Sequence, residues 1–258
     1  MPDKSVQTLD RALDIIELLS TEHESLGVTE IGQRLGLHKS TVHRLLSALA
    51  ERGYIDKDEK YGAYKLGLKF IEISSLFLNT LELKTEAQPY LRRLAETVGQ
   101  PVHLAILSGG EAIYIDKVEA VNSIRMYSQI GRRVPVYCSA IGKVLLSGLE
   151  PGRLDAVLNG MEICSYTDNT VKTKDELLKH INRTRELGWA IDDEEHEHGV
   201  RCIAAPVFDY TGRVIAAVSV SGDKRVINRD RDEEINRYVT DTAWNVSKRM
   251  GYIKKVNN

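Results

Sequence analysis

No apolar run in this chain comes near the roughly 18–20 residues needed to span a bilayer; typical runs are as short as Val214-Ile-Ala-Ala-Val218. The first residues, Met1-Pro-Asp-Lys-Ser5, lead into an amphipathic pattern without the apolar core or cleavage site of a secretory signal, so a cytoplasmic protein is expected. Cysteine is sparse. Cys138, Cys164 and Cys202 are odd in number and widely spaced, which fits neither a disulfide framework nor the close pairs of a zinc site, and reduced thiols are expected. A large excess of charge of one sign is missing as well: the formal net charge of -2 gives no bulk attraction for nucleic acid, so any DNA binding has to come from a local basic surface. Repeats and low-complexity tracts are absent. What is present is a composition of 42% hydrophobic and 28% charged residues over 258 positions, enough for two globular units of ordinary soluble character.

Helical spacing of Val6, Leu9, Ala12, Leu13, Ile16 and Leu19 predicts a first helix capped by Ser5. A short second helix from Thr29 ends at Gly36, and a third carries Val42, Leu45, Leu46 and Leu49 as one stripe before Gly53 stops it. Tyr54-Ile55 and Ala63–Leu66 then flank a charged tip, Asp56–Gly62, as a small hairpin. From this pattern residues 1–66 are one unit, 67–82 a connecting helix, and 83–258 a second unit of α+β class with a largely antiparallel sheet. Its expected strands are Val102–Leu107, Ala112–Val118, Ile124–Gln129, Cys202–Phe208 and Val214–Ser221. Helices are expected from Leu91 to Val98, from Ser139 to Leu146, after Pro151, from the capping box Thr173-Lys-Asp-Glu176 to Gly188, and over 230–250.

Taking Gly36 as a turn glycine, the positions around it carry what a helix-turn-helix needs: Ile31, Leu35, Leu37, Val42 and Leu45 point inward, and Gly32 is small where the helices cross. The hairpin that follows supplies a wing. Residues 33–52 carry Arg34, Lys39, Arg44 and Arg52 against Glu51, a local balance of +3 within a net acidic chain. Opposite the apolar stripe lie Lys39, Ser40, Thr41, His43, Arg44 and Ser47. Ser40 and Thr41 suit phosphate or base contacts, and Arg44 can grip a guanine edge with two hydrogen bonds, worth about 1–3 kcal/mol of discrimination. In the wing, Lys57, Lys60 and Tyr61 can touch DNA, but Asp56, Asp58 and Glu59 among them fit a solvated loop equally well.

In the second unit, Ser139, Ala140, Ile141 and Gly142 stand at a helix start, where free N–H groups and the helix dipole attract a carboxylate. Period-2 alternation sends Ser219 and Ser221 to one side of a strand otherwise built of Val, Ile and Ala. With Cys202 on the neighbouring strand and Asp192-Asp193-Glu194 ahead of it, these residues can line a pocket for a small carboxylate bearing hydroxyls. The competing reading makes Cys202 a nucleophile beside Arg201 in a thiol-dependent enzyme, although adjacent strand residues face opposite ways and no His-plus-acid set accompanies the thiol. His196-Glu-His198 reads as a solvated charge run and Trp189 and Trp244 as core; neither a metal nor a cofactor is assigned.

The whole arrangement, with Lys39-Ser-Thr-Val-His-Arg44, Tyr64-Lys-Leu-Gly67, Ala140-Ile-Gly-Lys143 and Gly199-Val-Arg-Cys-Ile-Ala-Ala-Pro206, resembles the isocitrate-lyase-regulator (IclR) family over nearly the full chain. The resemblance implies a winged helix-turn-helix joined by a linker helix to a GAF-like effector domain. It implies binding to double-stranded operator DNA, and a homodimer, often a homotetramer built as a dimer of dimers, acting as a repressor released by a small metabolite. Carried over by motif, the effector pocket falls on Ser139, Ala140, Ile141, Gly142, Asp192, Cys202, Ser219 and Ser221. Ile124–Arg133 and Ala140–Leu146 are most similar to the branch that represses pectin and hexuronate breakdown, which implies 2-keto-3-deoxygluconate as effector. Cys138 departs from the serine or histidine expected there in relatives.

Overall fold

The computed structural model describes residues 6–22, 24–58, 61–80, 82–120 and 128–253, by backbone alone over 75–80. The chain divides into two compact units, Met1–Thr80 and Leu81–Asn258.

In the first unit, helix α1 (Gln7–Thr21) leads through a two-residue strand β1 (Leu26–Gly27) to α2 (Val28–Leu35) and α3 (Lys39–Glu51). Strands β2 (Ile55–Asp58) and β3 (Ala63–Leu66) and helix α4 (Lys69–Thr80) follow. The expected cap Ser5 lies outside the described residues. The core face of α1 is made by Ile15 and Leu19, while Val6, Leu9 and Leu13 are exposed. At 3.6 residues per turn, positions 6, 9 and 13 fall on the side opposite 15 and 19, so the apolar positions of this helix divide between two faces. The α2–α3 turn is the expected one: Gly36 sits in the left-handed region at φ 64, open to glycine without strain. Gly32 packs against both the turn and α3: a Cβ there would lie 2.8 Å from the Leu37 carbonyl oxygen and 3.7 Å from Val42 Cγ2. Val42, Leu45 and Leu46 close over Ile31, Ile55 and Tyr64 in one core. β2 continues into the expected charged tip as far as Asp58, pairing antiparallel with β3, whose other edge takes β1.

In the second unit the order is α5 (Glu82–Val98), β4 (Val102–Ser108), β5 (Glu111–Val118), β6 (Arg133–Val134), α6 (Ala140–Ser147), α7 (Pro151–Asn159), α8 (Lys174–Leu187), β7 (Ala190–Asp193), β8 (Val200–Phe208), β9 (Val214–Asp223) and α9 (Asp232–Arg249). The connecting helix expected over 67–82 ends at Thr80, and Leu83 already belongs to α5. Within the expected strand Ile124–Gln129, positions 124–127 lie outside the described residues; among the described residues the outer edge of β5 pairs with β6. Thr173 caps α8 by accepting the Glu176 N–H at 3.2 Å. The Glu176 carboxylate reaches back to the Lys172 N–H, one residue further than a capping box requires.

The six strands form one antiparallel sheet in the order β6-β5-β4-β9-β8-β7. Because side chains alternate across it, even positions of β9 such as Val218 and Val220 pack with α5 and α9, and odd ones such as Ala217 pack beneath α6, α7 and α8. The result is three layers with an apolar core on each face of the sheet.

Candidate effector cavity and DNA-reading helix

On α3, Lys39, Ser40, His43, Arg44 and Ser47 are exposed and Thr41 is half-buried. Positions 40, 43, 44 and 47 follow helical spacing, so they share one solvent-facing stripe directly opposite Val42, Leu45 and Leu46. Among the described residues neither Lys39 nor Arg44 has an acidic partner within salt-bridge distance. Arg34 does: its guanidinium donates to Glu22 at 2.5 Å and to Glu30 at 2.7 Å. The local balance of +3 therefore overstates the free positive surface, which rests on Lys39 and Arg44 of α3 itself. In the wing, Lys57 and Tyr61 are exposed, the Tyr61 N–H donates to Asp58 Oδ1 at 3.2 Å, and Lys60 lies outside the described residues.

On the sheet, strand register sets Asp192, Cys202 and Ser221 side by side on β7, β8 and β9, with Ser219 two residues along β9 opposite Ala204. All face the α6 side. Above them stands the start of α6, whose cap Ser139 takes the Gly142 N–H at 3.2 Å and donates its own hydroxyl to the Pro135 carbonyl oxygen at 2.7 Å. The Ser139 side chain is thus committed to the backbone, and the first-turn N–H groups of Ala140 and Ile141 are what this end can offer an anion. Seven of the eight residues singled out from the sequence, all but Gly142, border one cavity of about 40 Å³. Gly142 acts through close packing instead. A Cβ there would lie 2.2 Å from Val136 Cα, so its bare Cα lets α6 start against the preceding segment.

Four further residues close the cavity, Tyr114 from β5, His196 and Glu197 from the turn between β7 and β8, and Val200 at the start of β8. The sequence places His196 and Glu197 in a solvated charge run, since a turn has no period from which to infer direction, and carries no signal that singles out Tyr114 or Val200. Beside the cavity, Lys143 is almost fully buried and forms an ion pair with Glu195, also donating to the Ile191 carbonyl oxygen at 2.7 Å. The Glu195 N–H in turn donates to Asp192 Oδ1 at 2.7 Å.

Burial dominates the electrostatics. It pushes the Asp192 carboxyl up to about 7 against the pull of Lys143, and raises Glu195 even with the Lys143 ammonium at its side. The Cys202 thiol is pushed well above its usual range by burial and then by the Asp192 carboxyl. A thiol held in that state is a poor nucleophile. Arg201 lies on the opposite face of β8, paired with Asp193 and Asp232.

Residues 76–248 match the family of the bacterial transcriptional regulator IclR C-terminal region, and residues 8–59 match the IclR helix-turn-helix domain. The chain belongs to the IclR family. It is 38% identical over 250 residues to the HTH-type transcriptional regulator XynR of Escherichia coli K12, covering 96% of this chain and 98% of that one. It is 36% identical over 251 residues to KdgR of the same organism, covering 97% and 95%. The crystal structure of the Thermotoga maritima IclR superposes with a TM-score of 0.80 at 30% identity, over 95% of this chain and 99% of that chain. IclR-family relatives of this kind are transcriptional regulators, not enzymes, and this chain is a helix-turn-helix transcriptional regulator. The thiol-enzyme alternative has no support from the relatives, and the raised Cys202 thiol argues against it. No helix among the described residues is long and apolar enough to cross a membrane.

Proposed function

We propose that this IclR-family regulator represses a catabolic operon and is released from its operator by a small carboxylate, with 2-keto-3-deoxygluconate or another keto or sugar acid as effector. The observation that carries this reading is the convergence of the α6 N-terminus, Asp192, Cys202, Ser219 and Ser221 on a single cavity. The helix start suits a carboxylate, and the serines and Asp192 suit keto and hydroxyl oxygens. The exposed stripe of α3 reads DNA through Arg44, with Lys39, Ser40, Thr41, His43 and Ser47 around it. The exposed Val6, Leu9 and Leu13 of α1, with Leu68 and Ile71 beside and on α4, support pairing of two copies through their DNA-binding units. In this reading α4 serves as the linker.

Fluorescence anisotropy on DNA upstream of the protein's own gene tests both halves. Binding by the wild type is expected to be salt-dependent and released by the sugar acid. Arg44→Ala is expected to weaken it by about 1–3 kcal/mol. Unchanged operator affinity in Arg44→Ala would remove the assignment of α3, and indifference to keto and sugar acids would remove the effector.

The buried Asp192 makes effector binding pH-dependent. An anion entering this cavity binds best while Asp192 is protonated, because two carboxylates in one low-dielectric site repel. With the Asp192 carboxyl at about 7, affinity is expected to be level in acid and to fall above that pH, by up to about tenfold per pH unit. Titration calorimetry across this range is expected to show the slope in the wild type and a flat profile in Asp192→Asn. A slope that survives the substitution would place the titrating group elsewhere.

A further inference from the structure

The turn joining β7 to β8 is fastened by side chains at its base, while its tip is held by one backbone bond, from the Val200 N–H to the Glu197 carbonyl oxygen at 3.2 Å, and by the His196 backbone against Asp192. Thr167 Oγ1 donates to the Glu194 carbonyl oxygen at 2.6 Å and Thr170 Oγ1 to that of Glu195 at 2.6 Å. The Glu194 carboxylate accepts the Gly199 N–H at 2.7 Å and the Lys224 ammonium at 2.9 Å, which ties the two ends of the turn together. These bonds hold Glu194 at φ 60, a left-handed conformation found at no other non-glycine position among the described residues. Between the ends lie His196, Glu197 and His198. Glu197 and His198 are exposed, and the half-buried His196 ring rests edge-on against Tyr166 with centroids 5.1 Å apart.

This tip is also a wall of the effector cavity, through His196 and Glu197. The floor beneath matches the length of a short carbon chain. On β9 the residues that border the cavity run from Ser219 to Ser221, two residues at about 3.4 Å each or roughly 7 Å, close to the length of a six-carbon chain with five bonds of about 1.5 Å. Height is what is missing, since a cavity of about 40 Å³ has room for about one water molecule. The floor is set by a six-stranded sheet and the opposite side by a capped helix, so the turn tip is the wall outside regular secondary structure and the one whose movement breaks the fewest backbone bonds.

We infer that the His196–His198 tip determines effector specificity: it swings outward for a 2-keto acid with a hydroxylated chain, and the Glu197 carboxylate accepts that chain's hydroxyls. The floor and the α6 start then take the carboxylate and keto head that all 2-keto acids share. This rests on the carboxylate-effector reading above.

Titration calorimetry of the full chain with 2-keto-3-deoxygluconate and with pyruvate, which keeps the head and lacks the tail, decides the matter. Glu197→Ala is expected to weaken the sugar acid by about tenfold, the worth of one charged hydrogen bond, with pyruvate changed by less than about twofold. Glu197→Gln, which still accepts a hydrogen bond, is expected to recover part of the loss. A sugar-acid affinity unmoved by Glu197→Ala, or equal losses for both acids, would overturn the inference and leave the effector reading standing. Failure of the wild type to bind either acid would overturn both.

Discussion

Lys143→Ala is expected to lower the melting temperature of the C-terminal unit by on the order of 10 °C, the largest stability loss of any single side-chain truncation proposed for this chain. Lys143 and Glu195 are both almost fully buried and paired, and the ammonium also serves the Ile191 carbonyl. Removing the lysine leaves a buried carboxyl and a buried carbonyl without their donor, a change that costs about 3–5 kcal/mol where a buried pair is broken from one side. For a unit of this size each kcal/mol moves the midpoint by about 2–4 °C. The double variant Lys143→Met/Glu195→Leu removes both charges and keeps the volume, so it is expected to regain most of the loss. Effector binding is expected to separate from stability here. The Glu195 N–H holds Asp192 in place through the backbone, and that bond survives the double substitution. Thermal melts of the three proteins check this; a Lys143→Ala protein melting within about 2 °C of wild type would show that the pair carries no stability.

That pair was invisible in the sequence, and the reason is physical. Lys143 and Glu195 are 52 residues apart, and nothing in local periodicity tells that a lysine in the second turn of a helix turns inward to meet a glutamate in a distant loop. The floor of the cavity was legible because a strand has a strict two-residue period: once Ser219 and Ser221 share a face, Cys202 and Asp192 need only the register of three adjacent strands to join them. The helix-turn-helix was legible for a similar reason. One glycine and five inward apolar positions leave few alternatives, and the stripe through Arg44 is fixed as the other side of Val42, Leu45 and Leu46. Helix α1 was read less well, because Leu9 and Leu13 are as apolar as Ile15 and Leu19, and only the packed structure shows which face is inward. Strands of two residues, β1 and β6, are too short for any period to show. The β7–β8 turn was read as a solvated charge run; its exposed tip agrees with that, while His196 and Glu197 also border the cavity.

Gly142→Ala is expected to abolish the response to effector while leaving operator binding in place. A Cβ at this position would stand 2.2 Å from Val136 Cα and 2.4 Å from its carbonyl oxygen. Both are backbone atoms, so no side-chain rotation relieves the clash. Either the segment around Val136 or the start of α6 must shift, at a cost of about 1–3 kcal/mol or more for overpacking. The shift moves the Ala140 and Ile141 N–H groups that border the cavity, and a binding site tolerates only about 0.5 Å of such displacement. Helix α3, proposed to read DNA, belongs to the other compact unit, with its own core around Ile31, Val42 and Leu46. Operator affinity measured by anisotropy is therefore expected to match wild type, while effector added at concentrations that strip the wild type from DNA leaves the variant bound. Ala140→Gly is the matching control: it keeps the same N–H groups, adds no atom, and is expected to cost about 1 kcal/mol of helix stability with the effector response retained. If Gly142→Ala releases DNA at the wild-type effector concentration, the helix start is not where the carboxylate is held.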